Sequence, residues 1–327
     1  MQKQPIDAGM LRFYEVLCAE SPPEAVHWPL DQQRQAWNQV CAKFRAARPL
    51  GLKVEDHLLA REDGSTLTIR LYRPMGAELL PGVLYFHGGG WVLGNLETHD
   101  DMCAEFANLA QCCVVSVDYR LAPEHRHPSQ LEDSLLALDW MRKQGMKYGL
   151  DPARIIAAGD SAGGQMSASL ALYLRDHAMI PLRGMVLIYP VLGGDCETAS
   201  YLENAEAPCL TKADMIYYLD AWLGPQGGAN WHDAYGLPLF ADDFSNLPPA
   251  FITAAMHDPL LDDAKQFHAK LQAAGSISQL RLEPELPHSY IRARHVSRPA
   301  MAGFQAIAEA MACLAYGEPL ASGVQYP

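Results

Sequence analysis

The chain has 327 residues, of which 49% are hydrophobic and 19% charged, enough apolar side chain for a sizeable core. A formal net charge of −13 excludes a basic nucleic-acid face and fits poorly with an anionic membrane surface. No apolar run approaches the roughly 18 residues of a transmembrane span, and MQKQPIDAGM lacks the apolar stretch of a signal peptide, so a cytoplasmic protein is expected.

Residues 1–50 are rich in Trp, Pro, Gln and Ala, with helical patterning over Gln32–Ala47. Val54–Ala60 and Thr66–Tyr72 then read as two strands joined by the turn Glu62-Asp63-Gly64-Ser65. Further strands are expected at Val83–Phe86, Cys112–Val117, Arg154–Ala158, Met185–Tyr189, Ala250–Ala255 and Ser278–Leu282. From the third strand onward the runs are apolar rather than alternating, as in strands covered on both faces. Helical stretches lie between them at Thr98–Ala110, Leu131–Gln144, Ala162–Arg175 and Asp262–Ala274, with Pro299–Ala315 last. That alternation predicts a mostly parallel sheet with right-handed crossovers and an antiparallel first pair. Between Leu192 and Leu247 no strand is expected, only a helix over Asp214–Leu223, and an excursion of that length reads as a lid or cap.

The eight cysteines show no C-x-x-C spacing and read as reduced, mostly buried thiols. Cys112 and Cys113 are adjacent in one expected strand, so their side chains should enter opposite faces.

Gly159-Asp160-Ser161-Ala162-Gly163 fits the G-x-S-x-G pattern of a nucleophile elbow, and it stands between a strand and a helical stretch as that turn requires. Glycines on both sides leave room for a serine on a sharp turn, and the helix start behind it offers free N–H groups to a developing anion. His87-Gly88-Gly89-Gly90-Trp91 follows the strand Val83–Phe86. Its glycines let backbone N–H groups turn inward, so Gly88, Gly89 and Ala162 are the expected oxyanion donors, with His87 holding the loop in shape. The spacing matches neither nucleotide-binding glycine motif.

With these two motifs the sequence resembles the hormone-sensitive-lipase family of esterases, especially its bacterial members. The likeness runs through HGGGWVLGNLETHD (87–100), DYRLAPEHRHPSQLEDSLLALDW (118–140), AGDSAGG (158–164), LIYP (187–190) and LPPAFITAAMHDPLLDD (247–263). It implies an α/β-hydrolase fold: a central eight-stranded, mostly parallel sheet flanked by helices, with a helical cap. The cap is expected from residues 1–50 and 192–247, and the core from 51–191 and 248–327.

An activated serine needs a base, and in α/β-hydrolases the order is Ser, Asp/Glu, His. Of the 12 histidines, His177, His232 and His268 sit in unpromising places after Ser161, leaving His257, His288 and then His295. The resemblance places the base at His288, in the loop after the last strand, although relatives usually continue with Gly and Phe where this chain has Ser289-Tyr290. The resemblance also makes Asp258 the acid, while Asp262 is the expected helix cap. Trp91 and Tyr189 are candidates for the substrate pocket.

The expected activity is hydrolysis of short- to medium-chain carboxylic esters through an acyl-enzyme, with no organic cofactor and no metal. His125 and His127 lack the further ligands of a zinc site. The alternatives are an amidase, lactonase or carbamate hydrolase, or a non-catalytic ligand receptor such as the plant gibberellin receptors, which resemble this family without the catalytic histidine. The partner is a small ester, with a homodimer through the edge strand Ser278–Leu282 as a further expectation.

Overall fold

The computed structural model describes residues 3–76 and 79–320. Among them eight strands make one sheet: β1 (Leu52–Ala60), β2 (Thr66–Pro74), β3 (Leu80–Phe86), β4 (Cys113–Val117), β5 (Leu150–Asp160), β6 (Met185–Ile188), β7 (Ala250–His257) and β8 (Ser278–Pro287). Their order is β1-β2-β4-β3-β5-β6-β7-β8. β2 runs antiparallel to both neighbours, and every other pairing from β4 to β8 is parallel. The expected strands all exist, but β5 extends to Asp160 and β8 to Pro287. Ladder pairing with β6 and β7 carries them past the point where the apolar run stops.

The two-residue period of the strands divides their side chains between two cores. On β3, Val83 and Tyr85 enter one core while Leu84 and Phe86 enter the other. Ile156 and Ala158 of β5 follow the first pair, and Ile155 and Ala157 the second. Cys112 and Cys113 part in the same way, although Cys112 stands just before β4. All eight cysteines are free thiols.

Helices α1 (Ala8–Glu20), α3 (Asp100–Ala110) and α9 (Arg298–Tyr316) supply the first core through Met10, Phe13, Phe106 and Phe304. Helices α4 (Ser129–Gln144), α5 (Ala162–Asp176) and α8 (Leu261–Ala273) supply the second through Leu138, Leu170 and Phe267. The remaining helices are α2 (Leu30–Lys43), α6 (Ala199–Glu203) and α7 (Lys212–Leu223). As expected, no strand interrupts the chain between β6 and β7.

Helix α1 is not among the expected helices, yet its signals are present in the sequence. Asp7 caps it by accepting from the N–H groups of Gly9 and Met10, and Met10 and Phe13 bury one face. Helix α7 begins at a capping box in which Thr211 and Asp214 satisfy each other's backbone. Asp262 does not cap α8. It lies inside the first turn and accepts from the Ser200 N–H at 2.8 Å, tying α6 to α8. Among the described residues no helix is long and apolar enough to cross a membrane.

Candidate active site

The C-terminal ends of β3, β5, β7 and β8 meet at one edge of the sheet. Ser161 leaves β5 with φ 56° and ψ −117°, an unfavourable conformation for a side chain, held because its N–H donates to Ile188 O at 2.8 Å. The turn also demands close approach. A Cβ on Gly163 would stand 1.9 Å from Phe86 O, so only glycine lets α5 start this near β3.

Ser161, Asp258 and His288, distant in sequence, are brought together. His288 Nε2 lies 2.9 Å from Ser161 Oγ, and His288 Nδ1 lies 2.6 Å from Asp258 Oδ2. The other carboxylate oxygen, Oδ1, accepts from Leu260 N–H at 2.9 Å, which fixes the carboxylate's plane. All three residues are buried, with only 7% of Ser161 exposed. Ser289, where relatives usually carry glycine, adopts φ 60° and ψ 16°, so the left-handed backbone is retained at the expense of strain. The other two candidate bases are elsewhere: His257 Nε2 bonds Gln4 O, and His295 Nε2 pairs with Glu105.

The oxyanion loop requires a correction. Gly88 N–H is already engaged, donating to Asp160 Oδ1 at 3.1 Å, so it is not available to a substrate oxygen. The amides of Gly89 and Ala162, also expected, make no hydrogen bond among the described residues, and the same is true of Gly90. Gly89 and Gly90 line the cavity beside Ser161. Which amides of three consecutive glycines are free depends on a carboxylate from another strand, and no spacing rule reveals that.

Asp160 is a site residue that the pattern hid as its variable position. Burial alone would raise its carboxyl, but His99, Arg292 and the Tyr85 hydroxyl hold it well below the usual carboxylate range. Tyr85 Oη donates to Asp160 Oδ1 at 2.8 Å. His99 is pushed down by burial and by Arg292, and its Nε2 lies 2.8 Å from that guanidinium and 3.2 Å from the carboxylate. His87 stacks on Tyr119 with ring centroids 4.2 Å apart, and its Nδ1 lies 2.9 Å from Gly88 O. Burial, then His99, push it down to about 3, so it acts on the loop's shape rather than as a base.

Neither aromatic candidate reaches the pocket. Trp91 is fully buried, stacked on Trp222 at 3.7 Å and donating to Gln165 Oε1 at 3.0 Å. Tyr189 packs its ring 4.6 Å from that of His288, behind the base. The cavity over Ser161 has a volume of about 420 Å³ and is walled instead by Tyr14 and Leu17 of α1, Trp37 of α2, and Met215 and Tyr218 of α7. His127, half of the pair weighed as a metal site, bonds Asp233 at 2.6 Å.

Comparison with known proteins agrees with this architecture. A family model described as the α/β hydrolase fold matches residues 83–292. Carboxylesterase NlhH of Mycobacterium tuberculosis is 42% identical over 245 residues, 73% of this chain and 76% of that one. Ethyl acetate hydrolase of Pseudomonas putida is 33% identical over 262 residues, 79% of this chain and 82% of that one. Among solved structures, an ester hydrolase from the metagenome of Lake Arreo, complexed with a bipyridine phosphonate derivative, superposes with a TM-score of 0.87 at 32% identity, covering 94% of this chain and 98% of that one. The chain belongs to the hormone-sensitive-lipase family of α/β-hydrolase esterases and is a carboxylic ester hydrolase.

Proposed function

We propose that the protein is a serine carboxylesterase for short- to medium-chain esters, with Ser161 as nucleophile, His288 as base and Asp258 as the acid that orients it. The observation that carries this reading is the placing of one imidazole between Ser161 Oγ at 2.9 Å and the Asp258 carboxylate at 2.6 Å. Ser161 Oγ attacks the ester carbonyl as its proton passes to His288 Nε2, and the carbonyl oxygen becomes an oxyanion. Asp258 stabilises the resulting imidazolium. The amides of Gly89, Gly90 and Ala162 receive the oxyanion, an interaction that strengthens only as charge develops, and each donor of this kind is worth about 2.7–4 kcal/mol. The alcohol leaves with the proton from His288. Water then attacks the acyl-enzyme by the same route, releasing the carboxylic acid and restoring Ser161.

A cavity of about 420 Å³ suits a small acyl or alcohol group better than a long chain. Ethyl acetate hydrolysis by one relative points the same way. Helices α1, α2 and α7, which wall it, are the parts of the two segments read as a cap, 1–50 and 192–247. Eight free thiols support a reducing, cytoplasmic location. Among the described residues β8 pairs with no strand but β7, and the other edge of Ser278–Leu282 supports a homodimer by strand pairing, which sedimentation of a concentrated sample tests. The deciding experiment is hydrolysis of p-nitrophenyl esters from acetate to palmitate by wild type and Ser161→Ala. Activity should fall with chain length and vanish in the variant. Undiminished turnover of palmitate, or of any ester by the variant, would overturn the reading.

A further inference from the structure

The α1–α2 pair separates two cavities. At 100° per residue, Tyr14, Leu17 and Cys18 share the face of α1 that lines the active-site cavity, and Arg12 and Val16 lie on the opposite face. That opposite face, with the C-terminal end of α2, borders a second, half-open cavity, also of about 420 Å³. Five basic side chains line it: Arg12, Lys43, Arg45, Arg292 and His295. No carboxylate lines it, in a chain whose net charge is −13. Val16, Phe44 and Val296 make the rest of the wall largely apolar.

The bases are not equally committed. Lys43 pairs with Glu20, Arg45 with Glu97 and His295 with Glu105. Arg12 is exposed and has no hydrogen bond or ion pair among the described residues. A ligand suited to this wall carries one negative charge for Arg12 and Arg292 and a short hydrocarbon part for Val16, Phe44 and Val296. The cavity is thus complementary to a small amphipathic carboxylate.

Arg292 also belongs to the active-site structure. Its guanidinium lies 4.8 Å from the ring centroid of Trp37, which walls the active-site cavity. Its Nη1 donates to Thr98 O at 2.8 Å and its Nη2 to His99 Nε2 at 2.8 Å. His99 touches Asp160, and Asp160 holds Gly88 in the oxyanion loop. One side chain therefore contacts the second cavity, the wall of the first and the support of the oxyanion loop.

We propose that the second cavity binds a small carboxylate with a short apolar tail, the class of product that ester hydrolysis releases, and that its occupancy lowers turnover through Arg292. The product assignment rests on the esterase reading, whereas the cavity's chemistry does not. An anion beside Arg292 competes with Trp37 and His99 for the guanidinium, loosening the Asp160–Gly88 support. Inhibition then lowers kcat without raising KM, unlike product bound at Ser161.

The test begins with wild-type enzyme whose Ser161 has been blocked by a phosphonate, so that the first cavity is filled. Calorimetric titration with hexanoate should show one site. Arg12→Glu should weaken it at least tenfold, and Val16→Trp, which fills the cavity, should abolish it. On unblocked enzyme, saturating hexanoate should lower kcat two- to fivefold for p-nitrophenyl acetate in wild type and leave it unchanged in Val16→Trp. No binding to the blocked enzyme, or binding indifferent to both substitutions, overturns the site. Inorganic sulfate binding as tightly as hexanoate overturns the amphipathic-ligand assignment, and binding with no change in kcat overturns the coupling. If the phosphonate does not react with Ser161, the esterase reading fails separately, and the titration is run on Ser161→Ala protein.

Discussion

Asp160 Oδ1 accepts the N–H of Gly88 at 3.1 Å, so the residue before Ser161 sets the position of the loop that faces it. The same carboxylate takes the Tyr85 hydroxyl and lies 3.2 Å from His99. The elbow and the oxyanion loop therefore form one hydrogen-bonded unit, and disturbing Asp160 should affect both chemistry and stability.

Asp160→Asn keeps the side-chain volume and one acceptor but removes the charge opposite Arg292. Catalysis should fall about ten- to a hundredfold, mostly in kcat, since the loss is felt when the oxyanion forms. Stability at neutral pH should fall by about 3 kcal/mol, as for a broken buried charge arrangement. The sign with pH follows from the depressed carboxyl: its stabilisation is present above the unfolded value near 4 and is lost as pH falls below it. Urea denaturation should thus separate the two proteins at pH 7 and bring them closer at pH 3. Wild-type kcat in the variant would refute the argument.

Asp258→Asn retains an acceptor for the Leu260 amide but presents a neutral group to His288 Nδ1. It loses the imidazolium's counter-charge and the preference for the correct tautomer. A kcat decrease of about 10⁴-fold with little change in KM is expected. Steady-state kinetics on p-nitrophenyl butyrate checks it, and a decrease below tenfold would remove Asp258 from its assigned role.

Gly90 sits at φ 59°, and a Cβ there would meet the Tyr218 ring at 2.4 Å. Gly90→Ala should therefore displace Tyr218 and turn the Gly90 amide, lowering kcat/KM at least a hundredfold. Tyr218→Ala removes the clash without touching the amide. Combined with Gly90→Ala, it should restore part of the activity, whereas independent effects would simply multiply.

Ser161, Asp258 and His288 could be singled out before they were seen together because the elbow has a local pattern, chain order sets aside the six histidines before Ser161, and the family resemblance points to the acid and the base. The eight strands were legible for a similar local reason, their apolar runs. What was missed depends on distant neighbours. Gly88 was misassigned because its partner, Asp160, lies 72 residues away. Trp91 was sent to the pocket because nothing local shows that Trp222 covers it. Helix α1 is different: Asp7, Met10 and Phe13 were readable, but Pro- and Trp-rich surroundings obscured them.

Asp263 supplies a test that does not depend on catalysis. Its carboxyl is 2% exposed and is raised to about 7, first by burial and then by Asp258 and Asp262, against the Leu192 and Gly193 amides that bond Oδ2. A raised carboxyl stabilises the fold fully below its unfolded value near 4, and that contribution is lost as pH rises through about 7. Asp263→Asn resembles the protonated form, can still accept both amides and does not titrate. The variant should match wild type near pH 4 and exceed it by a few kcal/mol at pH 8.5, since each unit of pH between the unfolded value near 4 and the shifted value near 7 costs wild type about 1.4 kcal/mol and nothing further is lost above it. Urea denaturation at the two pH values measures the difference. A gap that does not change with pH would show that Asp263 carries its charge at no cost to the fold.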